Sequence, residues 1–161
     1  MENGADLKEY HKINVIIWGS IISFVVILTV LAYILDGMNA LQPAENAAQI
    51  NQILFLIAVF IAFGILFFKR SLFNPKKLIE VPFEKSLEEK TSLVLAKLRK
   101  NYIIVWAMGE AIGILGFVNY SLTTDFQYLL VFSVVSIYSI LINLPRFAAA
   151  ERCVELVTEN H

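Results

Sequence analysis

The stretch IIVWAMGEAIGILGFV, from Ile103 to Val118, is apolar enough to lie in lipid and carries one carboxylic acid, Glu110, near its middle. A charge at the centre of a bilayer costs roughly 2.5–3.5 kcal/mol on insertion scales. An acid kept there is expected to face other helices and to find hydrogen-bond partners, because an unpaired polar group in hydrocarbon is a cost with no return. Three chemistries are open to it: exchange of a proton or cation, contact with a ligand or partner subunit, or a structural hydrogen bond.

Its neighbours are small. Gly109, Gly113 and Gly116 fall at i, i+4 and i+7, a smooth groove along one helix face. The Gly109-x-x-x-Gly113 spacing is the one that lets membrane helices approach closely. Glu110 projects beside this helix-packing groove, on the side of Trp106, Gly113 and Phe117. Hydroxyls at similar depth come from Ser23 in the first apolar segment and from Ser133 and Ser136 in the fourth, and these three are the candidate partners of Glu110.

The segment GEAIGILGF, with Glu110, Gly113 and Gly116 in an E-x-x-G-x-x-G pattern, resembles the carboxylate-bearing helix of rotary ATPase proteolipid (c-type) subunits. In that family the matching glutamate carries the translocated proton or sodium ion. The resemblance is local to this segment and implies one thing only, that Glu110 binds a cation.

Four apolar runs must position these residues: about 13–35, 50–68, 102–120 and 126–144. Each approaches the length of about 20 residues that spans a bilayer. None shows the period-2 alternation of barrel strands, so each must satisfy its own backbone as a helix. The first run is longer than the apolar core of a signal peptide and is read as a retained helix. The expected fold is an all-α integral membrane protein, a four-transmembrane-helix bundle, with residues 1–161 forming a single membrane domain.

Charge sets the expected topology. All 13 Lys and Arg residues fall on one side of a four-span arrangement. Basic residues mark the cytoplasmic side, so both termini are expected inside, in the inner or plasma membrane. Residues 69–101 then form a cytoplasmic basic loop and amphipathic helix, and residues 145–161 a cytoplasmic tail. Lys69, Arg70, Lys76 and Lys77 cluster beside the second span, as a positive anchor or an anionic-lipid contact. Ser86 and Glu89 have capping-box spacing. With no Pro or Gly between Leu87 and Met108, the third helix is expected to run unbroken from the cytoplasm into the membrane. The tail offers a weak apolar stripe, Phe147, Ala150, Val154 and Val157, that fits a short helix packed on the protruding one. A sequon-like Asn119-Tyr120-Ser121 is expected at the outer surface.

Composition agrees with this class. The chain is 58% hydrophobic and 17% charged, with a mean hydropathy of +0.67, too little polar surface for a soluble domain of its length. A net charge of −1 provides no basic field for nucleic acid. One cysteine excludes an internal disulfide, and no paired Cys/His spacing suggests a metal. The expectation is a small non-enzymatic polytopic membrane protein without cofactor. It would be a structural or accessory subunit, or a homo-oligomer, packed through glycine and serine helix faces in the lipid bilayer. The alternative is a proton- or cation-handling protein with Glu110 as the exchangeable carboxyl.

Overall fold

The computed structural model describes residues 3–79 and 86–159; Lys85 lies outside the described residues, as does the side chain of Lys76. The described secondary structure is wholly helical: α1 (Asn3–Gly37), α2 (Ala47–Leu72), the single turn α3 (Pro75–Leu78), α4 (Leu87–Thr123), α5 (Phe126–Leu141) and α6 (Phe147–Glu159). Helices α1, α2 and α4 are each long and apolar enough to cross a membrane, and α5 is a shorter apolar helix of 16 residues. The chain is therefore an all-α protein of the membrane class. Large apolar side chains point outward along α2, where Phe60 and Phe67 are 75% and 76% exposed, a surface suited to lipid rather than water.

Local chemistry explains the ends. Ser86 Oγ accepts from the Glu89 N–H, and the Ser86 N–H donates back to Glu89 Oε2, both at 3.3 Å, so the expected capping box forms. From there α4 runs without interruption for 37 residues, about 55 Å at 1.5 Å per residue. It stops where Thr124 turns left-handed at φ 56° and its N–H returns to the Tyr120 carbonyl. Asp125 then caps α5 by accepting from the N–H groups of Gln127 and Tyr128. α5 ends at Leu141, short of the expected residue 144. Pro145 has no N–H to donate and disfavours helical geometry at the residue before it. α1 begins well before the expected residue 13, because Leu7 and Tyr10 continue its buried face ahead of the apolar run.

α4 is the central helix, packed against α5, α2, α1 and α6. Its buried positions, among them Val94, Leu98, Tyr102, Val105, Gly109, Ile112, Gly116 and Tyr120, follow the helical period. α1 runs parallel to it: Tyr10 lies by Arg99, Val25 by Gly113, and Tyr120 donates to Asp36. α2 and α5 run antiparallel to it. Asn119 meets Asn51 while Asn101 meets Leu72, and Gly116 meets Phe132 while Gly109 meets Ile140. The starts of α1 and α4, the ends of α2 and α5, and all of α6 thus gather at one end, which carries the basic residues. α6 buries Ala150, Cys153 and Val157 there, so the free thiol of Cys153 joins the expected stripe. Desolvation pushes that thiol above its ordinary range, against a smaller opposing effect of Arg152.

The end of α5 is held by three other helices. The Trp18 indole donates to the Ile140 carbonyl at 3.1 Å, the Trp106 indole to Asn143 at 2.9 Å, and Lys69 Nζ to Ile142 at 3.4 Å. Trp106 and Asn143 are both buried. Trp106→Phe removes the donor and leaves a gap where the larger indole was fully buried, so it should lower stability by at least about 1–3 kcal/mol, the cost of stranding a buried carbonyl plus that of the gap. Reversible unfolding in mixed micelles measures this, and a wild-type unfolding curve for Trp106→Phe would refute the role assigned to this contact.

Candidate functional site

The site begins with the glycines of α4, whose absent side chains leave room for other helices. A Cβ at Gly109 would stand 2.8 Å from Ile140 Cγ1, and one at Gly116 would stand 2.5 Å from Phe132 Cβ. At Gly113 it would meet both Ser136 Oγ and Val25 Cγ1 at 3.0 Å, which places α5 and α1 together over the same glycine. The groove is therefore filled from within the chain. It is an intramolecular packing surface, not the face open to a second copy that the sequence reading allowed. By contrast, nothing lies within 4 Å of a Cβ at Gly19 on α1.

Glu110 occupies the shoulder of this groove. It shares a side of α4 with Gly113, where Val25 of α1 packs, and it is half-buried. Its carboxyl makes no hydrogen bond or ion pair with a described residue. The three expected partners are engaged elsewhere. Ser136 donates to the Gly109 carbonyl at 2.7 Å, Ser133 shares a hydrogen bond with Thr29 at 2.8 Å, and Ser23 donates to the Gly19 carbonyl at 2.9 Å. The reason is local. A helical hydroxyl has a carbonyl within reach one turn back, and a glycine opposite exposes another across the interface. Depth in the membrane puts these serines level with Glu110, but hydrogen-bond reach is decided by the angle around each helix.

Asparagines carry polar chemistry that the sequence reading did not single out. Asn119 donates to Asn51 Oδ1 at 2.7 Å, and Asn51 donates to Asp125 at 3.4 Å, joining α2 to α4 and to the turn before α5. Asn119 is fully buried, so the sequon is sealed in the fold rather than presented at a surface. At the basic end Asn14 is also fully buried, and its side-chain atoms have no partner of ordinary geometry, although the Tyr10 hydroxyl leans toward it from one turn before. The signal for these residues was present: an asparagine inside an apolar run needs partners as much as an acid does. Of the basic cluster, Arg70 and Lys77 are exposed, and Lys69 is tied to the end of α5. Among the described residues no group of three or more His, Cys, Asp and Glu is placed to hold a metal ion.

The glycine contacts generate opposite expectations for one substitution. Gly116→Ala forces a methyl against Phe132 Cβ, which cannot swing away, and should destabilise by about 1–3 kcal/mol. Gly19→Ala meets open space and should be neutral or stabilise by up to about 1 kcal/mol. Unfolding of the two variants in the same detergent checks the pair, and equal shifts would contradict the packing.

Compared with family models, curated proteins and solved structures, the chain matches none of them.

Proposed function

We propose that the chain is a non-enzymatic, four-span membrane protein that serves as a structural or accessory subunit, in a homo-oligomer or a larger membrane complex. Both termini are assigned to the cytoplasmic side of an inner or plasma membrane. The up-and-down order of α1, α2, α4 and α5, with the basic residues gathered at one end, supports this orientation. Exposed Arg70 and Lys77 at that end suit an anionic-lipid surface.

One observation carries the subunit reading: a half-buried acid near mid-span, without a hydrogen bond to any described residue. Facing lipid, Glu110 would cost several kcal/mol. Protein from a neighbouring subunit, docked along the α1 side of α4, removes that cost. The glycine groove cannot serve this purpose because α5 and Val25 already fill it. The same observation favours a second reading, in which Glu110 exchanges a proton or cation, since no described residue occupies its carboxyl oxygens.

Orientation is tested with Cys153→Ser as background and single cysteines at Asn46 and Ser92. These should label with impermeant maleimide from opposite sides, and labelling of both from one side defeats the four-span assignment. Assembly is tested by sedimentation in mild detergent. Wild type should run above the monomer mass, Glu110→Gln should retain this because an amide donates and accepts, and Glu110→Leu should shift toward monomer. A wild type that is monomeric alone and pulls down no membrane partner would falsify the subunit reading. For the second reading, carbodiimide labelling of Glu110 should fall as pH or sodium is raised, and labelling indifferent to both removes it.

A further inference from the structure

On one side of α4 the space between α1 and α2 is taken by α5, which packs on both and covers Gly109 and Gly116. On the other side the described residues place no helix at membrane depth. Ile103, Ala107, Glu110 and Ile114 recur at helical spacing and share the face of α4 turned that way. Ile103, Ala107 and Ile114 are exposed, and Glu110 and Ala111 are half-buried. α1 borders this face where Val25 meets Gly113, and α2 borders it where Gly64 meets Met108. The two bordering helices form no packed interface with each other. The result is a trough along α4, floored by the short side chains of Ala107 and Ala111, with Glu110 on the α1 side.

Lipid tails fill an apolar trough without difficulty, but they offer nothing to a carboxyl. The occupant must reach the alanine floor closely and bring a hydrogen-bonding group to the depth of Glu110. One outer face of this same chain has both properties. On α1, nothing lies within 4 Å of a Cβ at Gly19, and Ser20 and Ser23 are exposed. Tyr10 lies by Arg99 and Val25 by Gly113, so Gly19 stands level with Ala107 and Ser23 with Ala111, on either side of Glu110. The two hydroxyls donate to the carbonyls of Ile16 and Gly19, both at 2.9 Å. Their oxygens keep lone pairs, and a hydroxyl rotates to donate as readily as it accepts. At the same level α2 turns Phe60 and Phe63 outward and α5 turns Val134 and Tyr138, all exposed and too bulky to bring backbones together. Copies of one chain insert in the same orientation, so the depth match holds between molecules without any axial shift.

We propose that the trough receives the outer face of α1 from a second copy of the chain, with the Gly19–Ser23 turn of that copy against Ala107 and Ala111 and its serine hydroxyls in hydrogen-bond reach of the Glu110 carboxyl. This rests on the subunit reading above and names the subunit as the chain itself. The two surfaces are different parts of the molecule, so the contact is head-to-tail: each copy offers its α1 face to one neighbour and its trough to another.

Disulfide cross-linking in native membranes tests this, in full-length chains with Cys153→Ser as background. Ser23→Cys and Ala111→Cys are placed on separate, differently tagged copies and co-expressed; both changes are small and neither lies at a filled glycine. Mild oxidation should join the two tags, whereas Ser23→Cys alone and Ala111→Cys alone should stay uncross-linked, as a head-to-tail contact requires. Gly19→Leu gives an independent reading. It adds bulk only to the open face of α1, so helix content should be unchanged while the sedimenting mass in mild detergent shifts toward monomer. Cross-linking of Ala111→Cys to itself as efficiently as to Ser23→Cys marks a symmetric pairing and overturns the proposal, as does a Gly19→Leu protein that keeps the wild-type mass. A wild type that runs above the monomer mass but yields no mixed disulfide also overturns it, and leaves the subunit reading standing with a different neighbour. A monomeric wild type that pulls down no membrane partner removes both.

Discussion

Each helix end leaves backbone carbonyls or amides without an intrahelical partner. In water the solvent takes them; at the level of a bilayer another part of the chain must. Much of this protein's tertiary structure follows from that requirement. The C-terminal carbonyls of α5 are met by Trp18, Trp106 and Lys69 from α1, α4 and α2. The end of α2 is met by Asn101, which donates to the Leu72 carbonyl at 2.6 Å, and Lys97 donates to the carbonyl of Lys77 at the end of α3. α5 is the shortest of the four long apolar helices, at 16 residues, and its C-terminal end takes donors from three others. The contacts that satisfy it are the same ones that fix how the other helices stand around it.

The helices themselves were legible in the sequence. Long apolar runs announced α1, α2, the second half of α4 and α5, and the Ser86–Glu89 pair marked where α4 begins. The boundaries that moved did so for tertiary reasons. α1 grew toward its N-terminus because Leu7 and Tyr10 have α4 and α6 to pack against, and a hydropathy pattern does not see a partner that arrives much later in the chain. α5 shrank because Pro145 acts backward on the residue before it.

The candidate site was legible only in part. Spacing identified Gly109, Gly113 and Gly116 as a face for close approach but not which helices would approach, and it was helices of the same chain that did. Depth suggested Ser23, Ser133 and Ser136 for Glu110, yet each hydroxyl found a nearer partner. Membrane depth is one coordinate and azimuth is another. A sequence reports the first directly, and the second only relative to the residue's own helix. The asparagine ladder of Asn51 and Asn119 was missed for a simpler reason. An amide in an apolar run draws less notice than an acid, although the physical demand on it is similar.

The continuity of α4 has a consequence for how its two ends communicate. Arg99 and Glu110 are eleven residues apart, three turns of helix and about 16 Å along its axis. Eleven residues return a side chain to nearly the same azimuth, so both project from one edge of α4, the edge that α1 borders. No Pro or Gly interrupts the helix from Leu87 to Met108, and kinks need such a breaker or an inserted group. That stretch behaves as an axle. A twist or tilt applied where α4 meets α6 meets no such breaker until Gly109, the first residue of the glycine face, directly before Glu110. A load placed on the basic end would therefore reach the start of the glycine face through a single helix, without needing any chain of side-chain rearrangements to carry it.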